Sequence, residues 1–305
     1  MENSIHKLIS QANEIILDKE PQIKLALSCL FARGHLLIED LPGMGKTTLA
    51  HLLASLMGLR FNRIQFTSDL LPSDIIGAAV YNRDSGGFSF HPGPIFTQVI
   101  LADEINRASP KAQSALLEAM EERQVSAEGE TRELPEPFFV IATQNPSHHI
   151  GTFPLPESQY DRFMMRIELG YPSRHAERSI LTGRDRSILL QTMQASISPE
   201  QVLSIQAQVP QVHVSEPLLD YLQDLVDFTR SDQLEGTGLS PRGSIALLKC
   251  AQSWAFLDGR DAVIPEDIQA ILPSVVNHRL RQSTSGQPGS THDIAEELLR
   301  AVAIP

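Results

Sequence analysis

The chain has 305 residues, 42% hydrophobic and 20% charged, enough for one large or two smaller domains with a substantial core. A formal net charge of −12 disfavours a broad nucleic-acid-binding face, so nucleic acid is not an expected partner. No apolar run of about 18 residues predicts a membrane span, Met1 to Glu14 lack the pattern of a signal peptide, and Cys29 and Cys250 read as buried free thiols, so a cytoplasmic protein is expected.

Residues 3–33 carry a helical pattern. Ile5, Leu8, Ile9, Ala12, Ile15 and Ile16 recur at helical spacing; after Asp18 to Pro21 a second run extends to Phe31, and Gly34 ends it. His35 to Leu49, HLLIEDLPGMGKTTL, then passes from an apolar strand through a Pro/Gly turn into a helix starting near Lys46. Such a turn aims successive backbone N–H groups at one point, and the helix N-terminus adds its positive dipole, so the concavity suits a phosphate. Pro42, Gly43, Met44, Gly45, Lys46, Thr47 and Thr48 are the candidate phosphate-binding residues. Lys46 supplies charge for the β- and γ-phosphates, and the Thr47 hydroxyl is placed for Mg²⁺. Asp40 stands where the GxxxxGK[ST] pattern has its first glycine, so the tight turn must come from Pro42, Gly43 and Gly45.

Gly58 stops the helix after this loop, and Phe61 to Phe66 alternate as a strand. A short helix over Leu70 to Ile76 and a hairpin over 78–90, turning at Asp84-Ser85-Gly86-Gly87, come next. Val99 to Ala102 form an apolar strand ending in Asp103-Glu104, and Ser109-Pro110 start a helix to about Arg123. A second hairpin spans 124–134; the strand Phe138 to Ala142 ends at Thr143-Gln144-Asn145-Pro146, and Tyr160-Asp161-Arg162-Phe163 cap a short helix. Strands near 36–39, 61–66, 98–102, 138–142 and 164–169, alternating with helices, predict a three-layer α/β/α core on a five-stranded parallel sheet. After Gly170-Tyr171-Pro172 helical patterns dominate: 176–182, 199–208, 216–229, 241–257, 265–278 and 294–302. Val212-His213-Val214 is the remaining strand candidate, Gln282 to Ser290 a loop and Asp293 an N-cap. The expected division is a core over 1–172 and a mostly helical domain over 173–305, with the boundary between about 172 and 195.

Phosphoryl transfer needs positioning, charge neutralisation and an activated water. Asp103 and Glu104 stand at the carboxyl end of an apolar strand, where open α/β sheets bind ligands. Asp103 is the candidate Mg²⁺ ligand and Glu104 the candidate general base. Asn145, at the next strand end, offers a neutral amide to the γ-phosphate or the water. Arg162 is a candidate arginine finger, against a plain ion pair with Asp161 or Glu157. Arg242 opens a helix, where its charge opposes the dipole; reaching back to the nucleotide is its alternative to a solvated surface position.

With these residues collected, the chain resembles the AAA+ ATPases, most closely the MoxR family within the clade that carries a β-hairpin insert in its second core helix. The stretches that carry the resemblance are GHLLIEDLPGMGKTTLA, RIQFTSDLLPSDIIG, GPIFTQVILADEINRASPKAQSALLEAMEERQV, FFVIATQNP, LPESQYDRF and GLSPRG. The family often lacks the first P-loop glycine, so Asp40 fits it; Tyr160 stands where many members have leucine. The resemblance implies that Gly43, Gly45, Lys46 and Thr47 form Walker A, Asp103 and Glu104 Walker B, and Asn145 sensor 1. It also implies that Arg162 is a finger acting on the neighbouring subunit's nucleotide, and Arg242 is sensor 2 of a helical lid. The hairpins at 78–90 and 124–134 match the helix-2 insert and the pre-sensor-1 hairpin, which face pore or substrate in related rings. ATP and Mg²⁺ are the implied cofactors and a hexameric ring the implied assembly. Remodelling or maturation of client proteins is the implied work, with von Willebrand factor A domain proteins as partners. A motor subunit of a magnesium-chelatase-like complex, or a nucleotide-gated scaffold with little hydrolysis, are the alternative readings.

Overall fold

The structure, a computed structural model, describes residues 2–83, 86–146, 151–183, 186–231, 234, 238–280 and 294–304. Two helices open the chain, α1 (Glu2–Ile15) and α2 (Glu20–Phe31). Gly34 does not supply the left-handed end of α2: Arg33 does, at φ 61°. Gly34 instead makes room, since a Cβ there would lie 2.4 Å from Met164 Sδ.

Strand β1 (Leu36–Glu39) leads through the loop into α3 (Lys46–Leu56), and β2 (Phe61–Gln65) follows. Next come α4 (Pro72–Ile76) and the hairpin of β3 (Gly77–Asn82) with β4 (Gly87–Pro92). Residues 84–85 of the expected hairpin turn lie outside the described residues. Strand β5 (Val99–Asp103) passes through a 3₁₀ turn to α5 (Pro110–Glu122), whose N-cap Ser109 accepts the Ala112 N–H. The second hairpin, β6 (Gln124–Ala127) with β7 (Glu130–Glu133), precedes β8 (Phe139–Gln144), the short α6 (Glu157–Tyr160) and β9 (Met165–Ile167). The last strand is thus shorter than the expected 164–169.

Strands β1, β2, β5, β8 and β9 form one sheet in the order β2-β5-β8-β1-β9, every pair parallel. Successive residues face opposite layers, as the pleat requires. Leu36, Ile38, Val99, Leu101, Phe139 and Ile141 join the cluster under α1, α2 and α3. Leu37, Ile100, Ala102, Val140 and Ala142 join the cluster under α4 and α5. The fold is therefore the expected three-layer α/β/α core.

Among the described residues every element after β9 is helical: α7 (Arg174–Thr182), α8 (Arg186–Thr192), α9 (Pro199–Gln208), a 3₁₀ turn (Val209–Gln211), α10 (Glu216–Thr229), α11 (Pro241–Leu257), α12 (Pro265–Val276) and α13 (Ile294–Ala301). Helix α8 was not legible as a separate element. Val212-His213-Val214 is not a strand among the described residues; His213 makes one bridge, to Ala262. The expected loop over Gln282 to Ser290 and the Asp293 cap lie outside the described residues.

This helical part packs back onto α2. Its apolar residues continue the cluster beneath α1, α2 and α3 without a break. Ser28 Oγ donates to the Cys250 carbonyl at 3.0 Å, Gln206 Nε2 to the Leu30 carbonyl at 2.8 Å, and Lys24 lies 4.0 Å above the Trp254 ring. Cys29 and Cys250 are both buried free thiols, and burial raises the pKa of each.

Candidate active site

A cavity of about 370 Å³ opens at the carboxyl ends of β1, β5 and β8. It is lined by Pro42, Gly43, Met44, Gly45, Lys46, Thr47, Thr48, Asp103, Glu104, Thr143, Gln144 and Asn145. The seven loop residues singled out in the sequence therefore line one cavity with Asp103, Glu104 and Asn145.

The loop turns where its glycines allow it. Gly43 and Gly45 adopt φ +83° and +88°, a region that costs an L side chain strain, and Gly45 is the N-cap of α3. Asp40 is not in that region and has another job. Its Oδ1 accepts the Leu41 N–H at 2.7 Å, and its Oδ2 accepts the N–H groups of Leu169 and Gly170 at 2.8 and 2.7 Å. The carboxylate ties the root of the loop to the end of the sheet, where the chain leaves for the helical part. Lys46 Nζ donates to the Asp40 and Leu41 carbonyls at 2.5 and 2.8 Å. Partial burial lowers its pKa, against the opposing charges of Asp40, Asp103 and Glu104.

Across the cavity, one hydroxyl organises both carboxylate residues. Thr143 Oγ1 donates to Asp103 Oδ1 at 2.5 Å and accepts the Glu104 N–H at 2.9 Å. Asp103 Oδ2 accepts from Arg63 Nε and Nη2 at 3.1 and 2.6 Å. Glu104 sits in a left-handed turn, φ 57° and ψ 50°, which carries its side chain off the strand line. Its Oε2 accepts from Gln65 Nε2 at 3.0 Å and Arg107 Nη1 at 2.8 Å. Arg63, Gln65, Arg107 and Thr143 were not singled out in the sequence. Arg63 and Gln65 stand on β2 and Thr143 on β8, and only the strand order places both strands beside β5.

Among the described residues no group of three or more His, Cys, Asp or Glu could cage a metal ion. Thr47 and Asp103 nevertheless line one cavity, and a hydroxyl and a carboxylate are the hard oxygen donors that suit Mg²⁺ when phosphates and waters supply the rest.

The two arginines stand elsewhere. Neither Arg162 nor Arg242 lines the cavity. Arg162 Nη2 lies 3.2 Å from Glu121 Oε2, not on Asp161 or Glu157, and Arg242 Nη2 is paired with Glu121 Oε1. Asp161 is taken up by Arg279 Nε at 2.8 Å and by Ser240 Oγ at 3.0 Å. Packing of the helical part on α2 leaves Arg242 at Glu121 rather than reaching back to the cavity of its own chain.

A glycine-bearing loop between β1 and α3, an acidic pair ending β5 and a helical lid define a P-loop nucleotide-binding protein. Residues 35–165 match the ATPase family associated with various cellular activities (AAA), and residues 227–298 match the AAA lid domain. The chain is 43% identical to YeaC, an uncharacterized protein of Bacillus subtilis, over 100% of its own length and 97% of the relative's. It is 37% identical to the chaperone MoxR1 of Mycobacterium tuberculosis, over 99% of this chain and 83% of that protein. A crystal structure of an inferred ATPase from Cytophaga hutchinsonii superposes with a TM-score of 0.88 at 39% identity, covering 100% and 96% of the two chains. The chain belongs to the MoxR family of AAA+ ATPases.

Proposed function

We propose that this protein hydrolyses ATP at the cavity between the Walker A loop and the end of β5, as one subunit of a ring that remodels or matures partner proteins. The observation that carries the reading is the division of the site. One cavity gathers Lys46, Thr47, Asp103, Glu104 and Asn145, while Arg162 and Arg242 stand together outside it on Glu121. With its phosphate cradle and base in one cavity and its arginines outside it, such a site is completed by a second subunit.

In this reading the N–H groups of the 42–48 loop and the α3 N-terminus bind the phosphates, and Lys46 leaves the Asp40 and Leu41 carbonyls for the β- and γ-oxygens. Thr47 and Asp103 would hold Mg²⁺, which when bound would supply charge neutralisation to the phosphates. Glu104 orients the attacking water and takes its proton, and the Asn145 amide steadies that water or the γ-phosphate. Arg162 and Arg242 of the adjacent subunit offset the charge that develops on the transferred phosphoryl group.

The ring is taken as a hexamer in the cytoplasm, with the core over 1–172 and the lid over 173–305. The two hairpins are the candidate client contacts. Tyr81 and Phe88 pair edge to face at 5.4 Å on the exposed first hairpin, and Arg132 of the second lies 3.9 Å above the Phe90 ring, so the hairpins are linked. A protein client follows from the name of the chaperone relative, and a von Willebrand factor A domain partner from the family resemblance.

The test is Glu104→Gln. It should bind ATP with near-normal affinity in a fluorescent-nucleotide titration and lose at least about 10²-fold in phosphate release. Unchanged turnover would remove Glu104 from the role of base.

A further inference from the structure

Glu121 stands at the end of α5 and does not line the cavity. Its two carboxylate oxygens are divided between two arginines: Oε2 faces Arg162 and Oε1 holds Arg242. Arg162 comes from the core segment after α6, and Arg242 from the first turn of α11 in the lid. Two guanidinium groups this close repel each other, and the shared carboxylate between them offsets that repulsion.

A second contact joins the same two segments. Asp161, next to Arg162, accepts from Ser240 Oγ, and Ser240 is the N-cap of α11 two residues before Arg242. Arg279 closes the joint. Its side chain, only 4% exposed, donates to Asp161 Oδ1 and to the carbonyls of Phe163 and Met164 at 2.8 and 3.0 Å. Asp161 and Arg279 therefore lock the finger segment to the lid, and Glu121 aligns the two side chains that project from the joint. Both arginines stay partly exposed, at 30% and 48%.

We propose that Glu121 is a positioning residue that presents Arg162 and Arg242 as one two-arginine unit to the triphosphate held by the neighbouring subunit. The proposal rests on the reading that the site is completed between subunits. Each guanidinium has five N–H donors, so a contact with Glu121 leaves others for phosphate oxygens. A preset pair also loses less side-chain freedom on meeting the phosphate than two independent arginines would.

Subunit mixing tests this. Glu104→Gln serves as arginine donor, since its own base is gone and its arginines are intact. Arg162→Ala serves as acceptor, since its own cavity is intact. Each alone should turn over slowly, and the mixture should recover ATP hydrolysis. Adding Glu121→Ala to the donor should then cut the recovered rate by about tenfold or more. Adding it to the acceptor should leave the recovered rate unchanged. Glu121→Gln, which keeps the volume and removes the charge, should repeat the donor-side loss with an unchanged melting temperature. Equal loss on both sides would mean that Glu121 only supports the fold and would overturn the proposal, as would no loss on the donor side. Failure of the unmodified mixture to recover would instead sink the shared-site reading itself, and the proposal with it.

Discussion

Asp40 Oδ2 accepts the backbone N–H of Gly170 at 2.7 Å, joining the root of the nucleotide loop to the residue where the chain turns out of the sheet. The same carboxylate takes the N–H groups of Leu41 and Leu169, and the residue is only 7% exposed. Asp40 is therefore a structural tie standing where the P-loop pattern places a glycine. Asp40→Gly would complete that pattern and still be harmful. It should lower unfolding free energy by about 3 kcal/mol, because three backbone donors lose a charged acceptor. Urea denaturation measures this, and a variant as stable as the parent would show that the tie contributes nothing.

Thr143 is fully buried and serves Asp103 and Glu104 with one hydroxyl. Thr143→Val keeps the shape and removes both hydrogen bonds. The Glu104 N–H and the Asp103 carboxylate each lose a partner, at a cost of about 1–3 kcal/mol. The turnover number should fall about tenfold through misplacement of Glu104, with ATP affinity little changed. Steady-state phosphate release beside a nucleotide titration separates the two; an equal loss in affinity would move Thr143 to the binding step.

His35 makes the fold acid-sensitive. It is buried, Nδ1 accepting the Val140 N–H at 3.0 Å and Nε2 lying 3.1 Å from the Met120 carbonyl, a pairing that needs the neutral ring. Burial lowers its pKa from 6.5 to about 4. The unfolded chain thus binds a proton that the folded chain refuses between those values, so stability falls as pH drops through that window. The loss should approach about 3 kcal/mol by pH 4. His35→Gln can serve both partners without titrating and should remove that share of the slope. Denaturation midpoints from pH 7 to pH 4 check it, and parallel slopes for the two proteins would exclude His35 as the cause.

The nucleotide loop and the Asp103-Glu104 pair are legible because each is a run of consecutive residues whose chemistry is local. The three-layer core is legible because β1, β5 and β8 are short, fully buried apolar strands. What sequence did not disclose depends on which strands become neighbours. Arg63 and Gln65 meet Asp103 and Glu104 only because β2 lies beside β5. The same holds for Arg162: the local partners Asp161 and Glu157 were the visible alternatives, and the pairing goes to Glu121, 41 positions upstream, once α5 and the 161–164 segment pack together. Arg242 shows the limit most clearly, because its neighbourhood depends on the lid packing against α2 rather than over its own cavity.

The dependence of specific ATPase activity on protein concentration tests the shared site most directly. If Arg162 and Arg242 serve a neighbour's nucleotide, activity per subunit should rise with concentration and level off as sedimentation shows the ring to be complete. Arg162→Ala should stay low throughout. Constant activity per subunit down to concentrations at which only monomer sediments would contradict a site built from two chains.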